Sequence, residues 1–110
     1  MTSFGPKRTV LDNEYSMWFI GTGTIELEIT DGVTLKDKRQ VVKAVLDRVR
    51  ARFKVAAAEV DHLDSPRFAT LAMAAVANDQ SHVHQVLEKA VDLVESEPRA
   101  MVLGYEIQML

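Results

Sequence analysis

The sequence predicts an α+β sandwich, a four-stranded antiparallel sheet with two helices on one face. Three observations carry that expectation. Two stretches repeat apolar residues at helical spacing, others alternate or run apolar like strands, and the order in which they follow one another is β-α-β-β-α-β. Two β-α-β crossovers joined by a hairpin build a ferredoxin-like arrangement.

Residues Trp18 to Thr30 form the first expected strand. Phe19, Ile25, Leu27 and Ile29 share one parity, with Thr22, Thr24, Glu26 and Glu28 on the other. The run Gly21-Thr22-Gly23-Thr24 continues into a strand rather than opening a helix. It therefore reads as close backbone packing and not as a phosphate loop. Asp31-Gly32 turns the chain into a helix over Thr34 to Phe53. Its apolar stripe is Leu35, Val42, Leu46, Val49 and Phe53, widened by Val41 and Val45, and Thr34 with Asp37 forms a capping box.

Lys54 to Val60 is a short strand, and Asp61 to Pro66 is rich in turn-forming residues. Arg67 to Asn78 is apolar on both parities, as expected of a central strand covered at least partly on both faces. Asn78-Asp79 caps a second helix whose buried stripe is Val83, Val86, Leu87, Ala90, Val91 and Val94, and Pro98 lies just past its end. Met101 to Leu110 closes the sheet, with Met101, Leu103, Tyr105, Ile107 and Met109 on one parity. Residues 17–110 read as one domain. Residues 1–16 read as an extension, flexible or loosely packed, or else an arm that covers apolar surface through Phe4, Val10, Leu11 or Tyr15.

At 110 residues the chain suits one hydrophobic core, and its 47% apolar and 26% charged residues are those of a globular protein. No run of apolar residues is long enough to span a membrane as a helix. Cysteine is absent, which excludes thiolate zinc sites and cysteine nucleophiles and makes a cytoplasmic location the expectation. The net charge of −3 argues against bulk nucleic-acid binding, yet eight of the 13 Lys and Arg residues fall between Lys36 and Lys54.

Lys36, Arg39, Lys43 and Arg50 lie on one stripe of the first helix, beside its apolar face. Solvated charge on a core helix explains such a stripe, and so does a docking face for RNA or an acidic partner. The strand parity facing away from the helices offers Glu26 and Glu28, Glu106 from the last strand, and Glu59 from the short one. Carboxylates there disfavour RNA stacking on the sheet, which calls for aromatic and basic side chains. A solvated face, a hard-cation site or an acidic interface would each account for them. His62 between Asp61 and Asp64 reads as a polar hairpin tip, and His82 with His84 point in different directions on their helix. No catalytic residues, metal ligands or cofactor are assigned.

The run Leu35-Lys36-Asp37-Lys38-Arg39 followed by Val41-Val42-Lys43 resembles the signature of the YlxP-like family, small bacterial proteins without an assigned function. Ala58-Glu59-Val60 with His62 and Asp64, Ala69-Thr70-Leu71 leading to Asn78-Asp79, and Tyr105-Glu106-Ile107 fit the same pattern, so the resemblance spans Trp18 to Leu110. It implies a ferredoxin-like fold, no established enzymatic activity and an association with translation and ribosome maturation. Thr34 stands where that family usually has Ser, Asp61 where it commonly has Gly, and the segment before Met17 lies outside its pattern. These departures leave room for a specialised partner.

The expectation is therefore a non-enzymatic binding protein. In its first form, Lys36, Arg39, Lys43 and Arg50 contact ribosomal RNA or a translation-associated protein. In its second, a small dimeric adaptor stabilises or regulates a partner enzyme through the open sheet face. A homodimer is expected, through that face or through the exposed edge strand Lys54 to Val60.

Overall fold

The structure is a computed structural model describing residues 17–110, so the extension read at 1–16 lies outside the described residues. Strand β1 (Phe19–Ile29) leads to helix α1 (Leu35–Arg52), then to strands β2 (Ala56–Asp61) and β3 (Phe68–Ala77), helix α2 (Gln80–Glu95) and strand β4 (Ala100–Met109). The strands form one antiparallel sheet in the order β2-β3-β1-β4, which is the ferredoxin-like topology.

Local chemistry sets the helix starts. Thr34 Oγ1 accepts from the Asp37 N–H at 3.0 Å, while Asp37 Oδ2 accepts from the N–H groups of Thr34 at 3.1 Å and Val33 at 3.0 Å. The capping box is complete despite its shorter carboxylate. Gly32 feeds the chain into it at φ +129°, and a Cβ there would stand 2.7 Å from Asp37 Cβ. Asp79 caps α2 through its side chain, which accepts from the Ser81 N–H at 3.0 Å.

One face of the sheet makes the core. Ile25, Leu27 and Ile29 of β1 and Ala69, Leu71, Met73 and Ala75 of β3 bury against Val41, Val42, Val45, Leu46 and Val49 of α1 and Val83, Leu87, Ala90, Val91 and Val94 of α2. Helix α1 lies over β2, and α2 lies over β1, β3 and β4. The close packing expected at the glycines is real: a Cβ on Gly21 would fall 2.7 Å from Val83 Cγ1 and 2.9 Å from Leu87 Cδ1.

Strand β4 does not keep the single parity expected of it. Glu26 faces Gly104 but Leu27 faces Val102, so Leu103 is an extra residue in a β-bulge. Beyond the bulge Ile107 and Met109 turn toward the helices, before it Val102 does, and Met101 and Leu103 are left exposed. A second bulge at Val60 separates the pairs Glu59–Leu71 and Asp61–Thr70.

Candidate functional site

Two surfaces carry the candidate residues, and a buried ion pair lies between them. Lys36, Arg39, Lys43 and Arg50 are all exposed on α1, on the stripe expected of them. Much of their charge is already engaged. Lys43 Nζ lies 2.7 Å from Asp47 Oδ2, and Arg50 Nη1 lies 3.6 Å from Asp47 Oδ1. These contacts hold the Asp47 carboxyl below the usual carboxylate range, the Lys43 hydrogen bond foremost. Arg39 stands 3.9 Å from Asp64 across open solvent. Arg50 also donates to the Ala57 carbonyl of β2, which ties it to the sheet. Among the described residues, Lys36, Arg52 and Lys54 have no acid within 4 Å.

The sheet face opposite the helices is uncovered by any described element. Its middle is small and smooth, with Thr22 and Thr24 of β1, Ala72 and Ala74 of β3, and Ala56 and Ala58 of β2. Around this floor stand exposed apolar side chains: Phe68 and Val76 on β3, Met101 and Leu103 on β4. Central strand β3 is therefore apolar on both faces but covered by helices on one only.

Glu26, Glu28 and Glu106 lie on this open face, as their parity requires. Glu28 is neutralised there by Arg67, whose Nε and Nη2 both stand 2.6 Å from its Oε2. Glu26 Oε1 accepts from the buried Thr70 hydroxyl at 2.6 Å. Beside it a shallow cavity of about 440 Å³ is lined by Glu26, Leu27, His62, Phe68, Leu103 and Gly104.

Glu59 does not join them. It shares the parity of Ala57, which packs on the core, and so faces the helices. There Lys38 Nζ approaches Glu59 Oε2 at 2.6 Å, with side-chain exposures of 0% and 14%. The directional hydrogen bond of that ammonium goes to the His62 carbonyl at 2.8 Å, and the contact with Glu59 is a charge pair rather than an aligned bond. At about 100° per residue, Lys38 falls in the middle of the arc spanned by Val41, Val42, Val45, Leu46 and Val49. A charged residue in an apolar stripe was thus a signal that the sequence contained, and a buried lysine needs an acid to meet it.

The hairpin residues are committed to the turn. Asp61 Oδ1 accepts from the His62 N–H at 2.7 Å, the His62 carbonyl accepts from the Ser65 N–H at 3.0 Å, and His62 adopts a left-handed φ of 61°. A second buried carboxylate, Glu97, follows α2 with its side chain 2% exposed. Arg99 donates to it from its backbone N–H and guanidinium, and Arg48 of α1 reaches it at 3.3 Å. The Arg99 hydrogen bond, more than any other contact, holds the Glu97 carboxyl below the usual carboxylate range. The sequence reading assigned no role to this residue.

No helix among the described residues is long and apolar enough to cross a membrane. The described residues hold no group of three His, Asp or Glu placed to bind a metal ion.

Residues 20–107 match the family described as Protein of unknown function (DUF503). Over 79 residues, 72% of this chain and 86% of the relative, the sequence is 30% identical to the Uncharacterized protein YlxP of Bacillus subtilis (strain 168). The solved structure of the de novo designed protein Foldit4 aligns over 83% of this chain and 96% of its own, with a TM-score of 0.50 and 10% identity, a likeness of fold alone. A dimeric ferredoxin-like protein of unknown function from Thermobifida fusca YX aligns over 83% of this chain and 90% of its own, with a TM-score of 0.39 and 16% identity, too distant to carry an argument.

Proposed function

The chain belongs to the DUF503 family and is similar to YlxP, and from that premise we propose that it is a non-enzymatic adaptor that docks a partner protein through the open face of its sheet. The observation that carries this reading is the uncovered apolar face itself. Its Ala and Thr floor lets another surface approach closely, and Phe68, Val76, Met101 and Leu103 rim it with apolar side chains that a monomer leaves in water. Glu26 and Glu106 add a net negative character that favours a partner with basic residues around an apolar centre. In this reading the protein acts as a homodimer in the cytoplasm, bound to an enzyme that it stabilises or regulates.

A second reading, contact with ribosomal RNA or a translation-associated protein through α1, is favoured by Lys36, Arg39 and the neighbouring Arg52 and Lys54. Its weakness is that Lys43 and Arg50 already share Asp47. Phosphate contacts would also make such binding fall steeply with salt.

Recovery of partners from native lysate by the full chain separates the two. The expected result is one protein in stoichiometric amount, unaffected by nuclease, lost in Ala72→Glu and retained when Lys36, Arg39 and Lys43 are all changed to Ala. Recovery of RNA that disappears with nuclease, salt or the triple substitution would overturn the adaptor reading in favour of the second.

A further inference from the structure

We propose that the outer edge of β4 is the self-association surface of this protein, pairing antiparallel with β4 of a second copy so that two sheets run into one. The inference rests on the homodimer of the reading above and names its surface.

The two edges of the sheet are treated very differently. Strand β2 is six residues long, carries a bulge at Val60, is preceded by Lys54 and ends on Asp61, and has its Ala57 carbonyl taken by Arg50. Short length and charge are devices that keep an edge from pairing with another chain, whereas the bulge is a feature that β4 shares at Leu103. The edge expected from sequence to mediate a dimer is therefore the protected one.

Strand β4 is ten residues long, has Glu106 as its single charged residue, and pairs with no described strand on its outer side. The Leu110 N–H donates to the Ile20 carbonyl at 3.0 Å, so by the alternation of an antiparallel ladder residues 106 and 108 also point into the sheet. The backbone groups of Tyr105, Ile107 and Met109 then point away from it, a free row of donors and acceptors. Large apolar side chains crowd the same strand: Leu103 and Tyr105 are each 52% exposed, Met101 49% and Leu110, just beyond it, 48%. They stand on both faces of the sheet, as an edge prepared for continuation requires.

Charge selects the edge over the open face for a second copy. Stacking the open face on itself gathers Glu26, Glu106 and Asp61 of both copies into one interface with no cation to meet them, since Arg67 is already paired with Glu28. In the β4 pair, a register centred on Ile107 sets Glu106 opposite Gln108 and Tyr105 opposite Met109, so no like charges meet and an aromatic ring packs on a thioether. The open face stays free for a partner.

The test measures molar mass by sedimentation of the full chain, with amide hydrogen exchange at low and high protein concentration. The expected result is a dimer that Tyr105→Pro and Tyr105→Lys both convert to monomer with their circular dichroism retained, while Ala72→Glu leaves it dimeric. In the wild type, the amides of Tyr105, Ile107 and Met109 should slow by roughly tenfold or more as the dimer forms. A dimer that survives both Tyr105 substitutions, or shows no added protection at those amides, overturns the edge assignment while leaving the homodimer standing. A dimer dissociated by Ala72→Glu alone moves the contact to the open face. A wild-type monomer at every concentration overturns the homodimer and the edge together, and leaves the adaptor reading to its own lysate test.

Discussion

The ammonium of Lys38, fully buried at the end of the first turn of α1, lies 2.6 Å from Glu59 of β2 and donates at 2.8 Å to the carbonyl of His62. One side chain thereby holds helix, edge strand and hairpin together. It also settles the facing of Glu59, which stands on the helix side with its charge met.

Truncating one member of this pair leaves the other charge buried without a partner, which costs about 3–5 kcal/mol. Lys38→Ala is expected to lower stability toward urea by about 3 kcal/mol, because Glu59 retains slight access to water. The double variant Lys38→Met/Glu59→Met should recover most of that loss, since a packed apolar pair replaces an ion pair at little cost. A Lys38→Met single variant as stable as wild type would show that the pair is inert.

His62 sits at φ 61° although it carries a side chain. Such a backbone costs about 1–2 kcal/mol for an L residue, partly offset in a glycine variant by the greater freedom of the unfolded chain. His62→Gly should therefore raise stability by about 0.5 kcal/mol, and His62→Val should lower it by about 1–2 kcal/mol. The Lys38 contact is to the backbone carbonyl, so both variants keep it. Thermal melts in the reverse order would refute the strain.

Gly21 lets α2 lie directly on β1. In Gly21→Ala the new methyl would stand 2.7 Å from Val83 Cγ1 and 2.9 Å from both Leu87 Cδ1 and Met109 Sδ. Overpacking of this kind costs about 1–3 kcal/mol. Gly104→Ala is the control, because its Cβ would meet nothing within 4 Å. Equal melting temperatures for the two variants would contradict the packing described.

The Glu97 carboxyl is held below its ordinary value by Arg99 and, less strongly, by Arg48. A carboxyl depressed in the folded state contributes stability that is present above the unfolded value and lost as pH falls through the folded one. Glu97→Gln should thus be less stable than wild type near neutral pH, and the gap should narrow as the solution is acidified below the ordinary value of about 4.5. A gap that stays constant from neutral to acid pH would remove Glu97 from the linkage.

The elements and their order were legible in the residues: the alternation of Ile25, Leu27 and Ile29, the helical stripe from Val41 to Val49, and the capping residues Thr34, Asp37 and Asp79 all act through local geometry. So was the exposed stripe of Lys36, Arg39, Lys43 and Arg50, because helical periodicity alone places it. Tertiary structure decided what periodicity cannot. Bulges at Val60 and Leu103 reset which side chains face out, since one extra residue in a strand of period two exchanges its faces. The partnership of Lys38 with Glu59, the convergence of Arg48 and Arg99 on Glu97, and the contrast between a guarded β2 edge and an open β4 edge join residues far apart in the chain. Their energies depend on desolvation and distance, quantities that exist only once the helices have closed over the sheet.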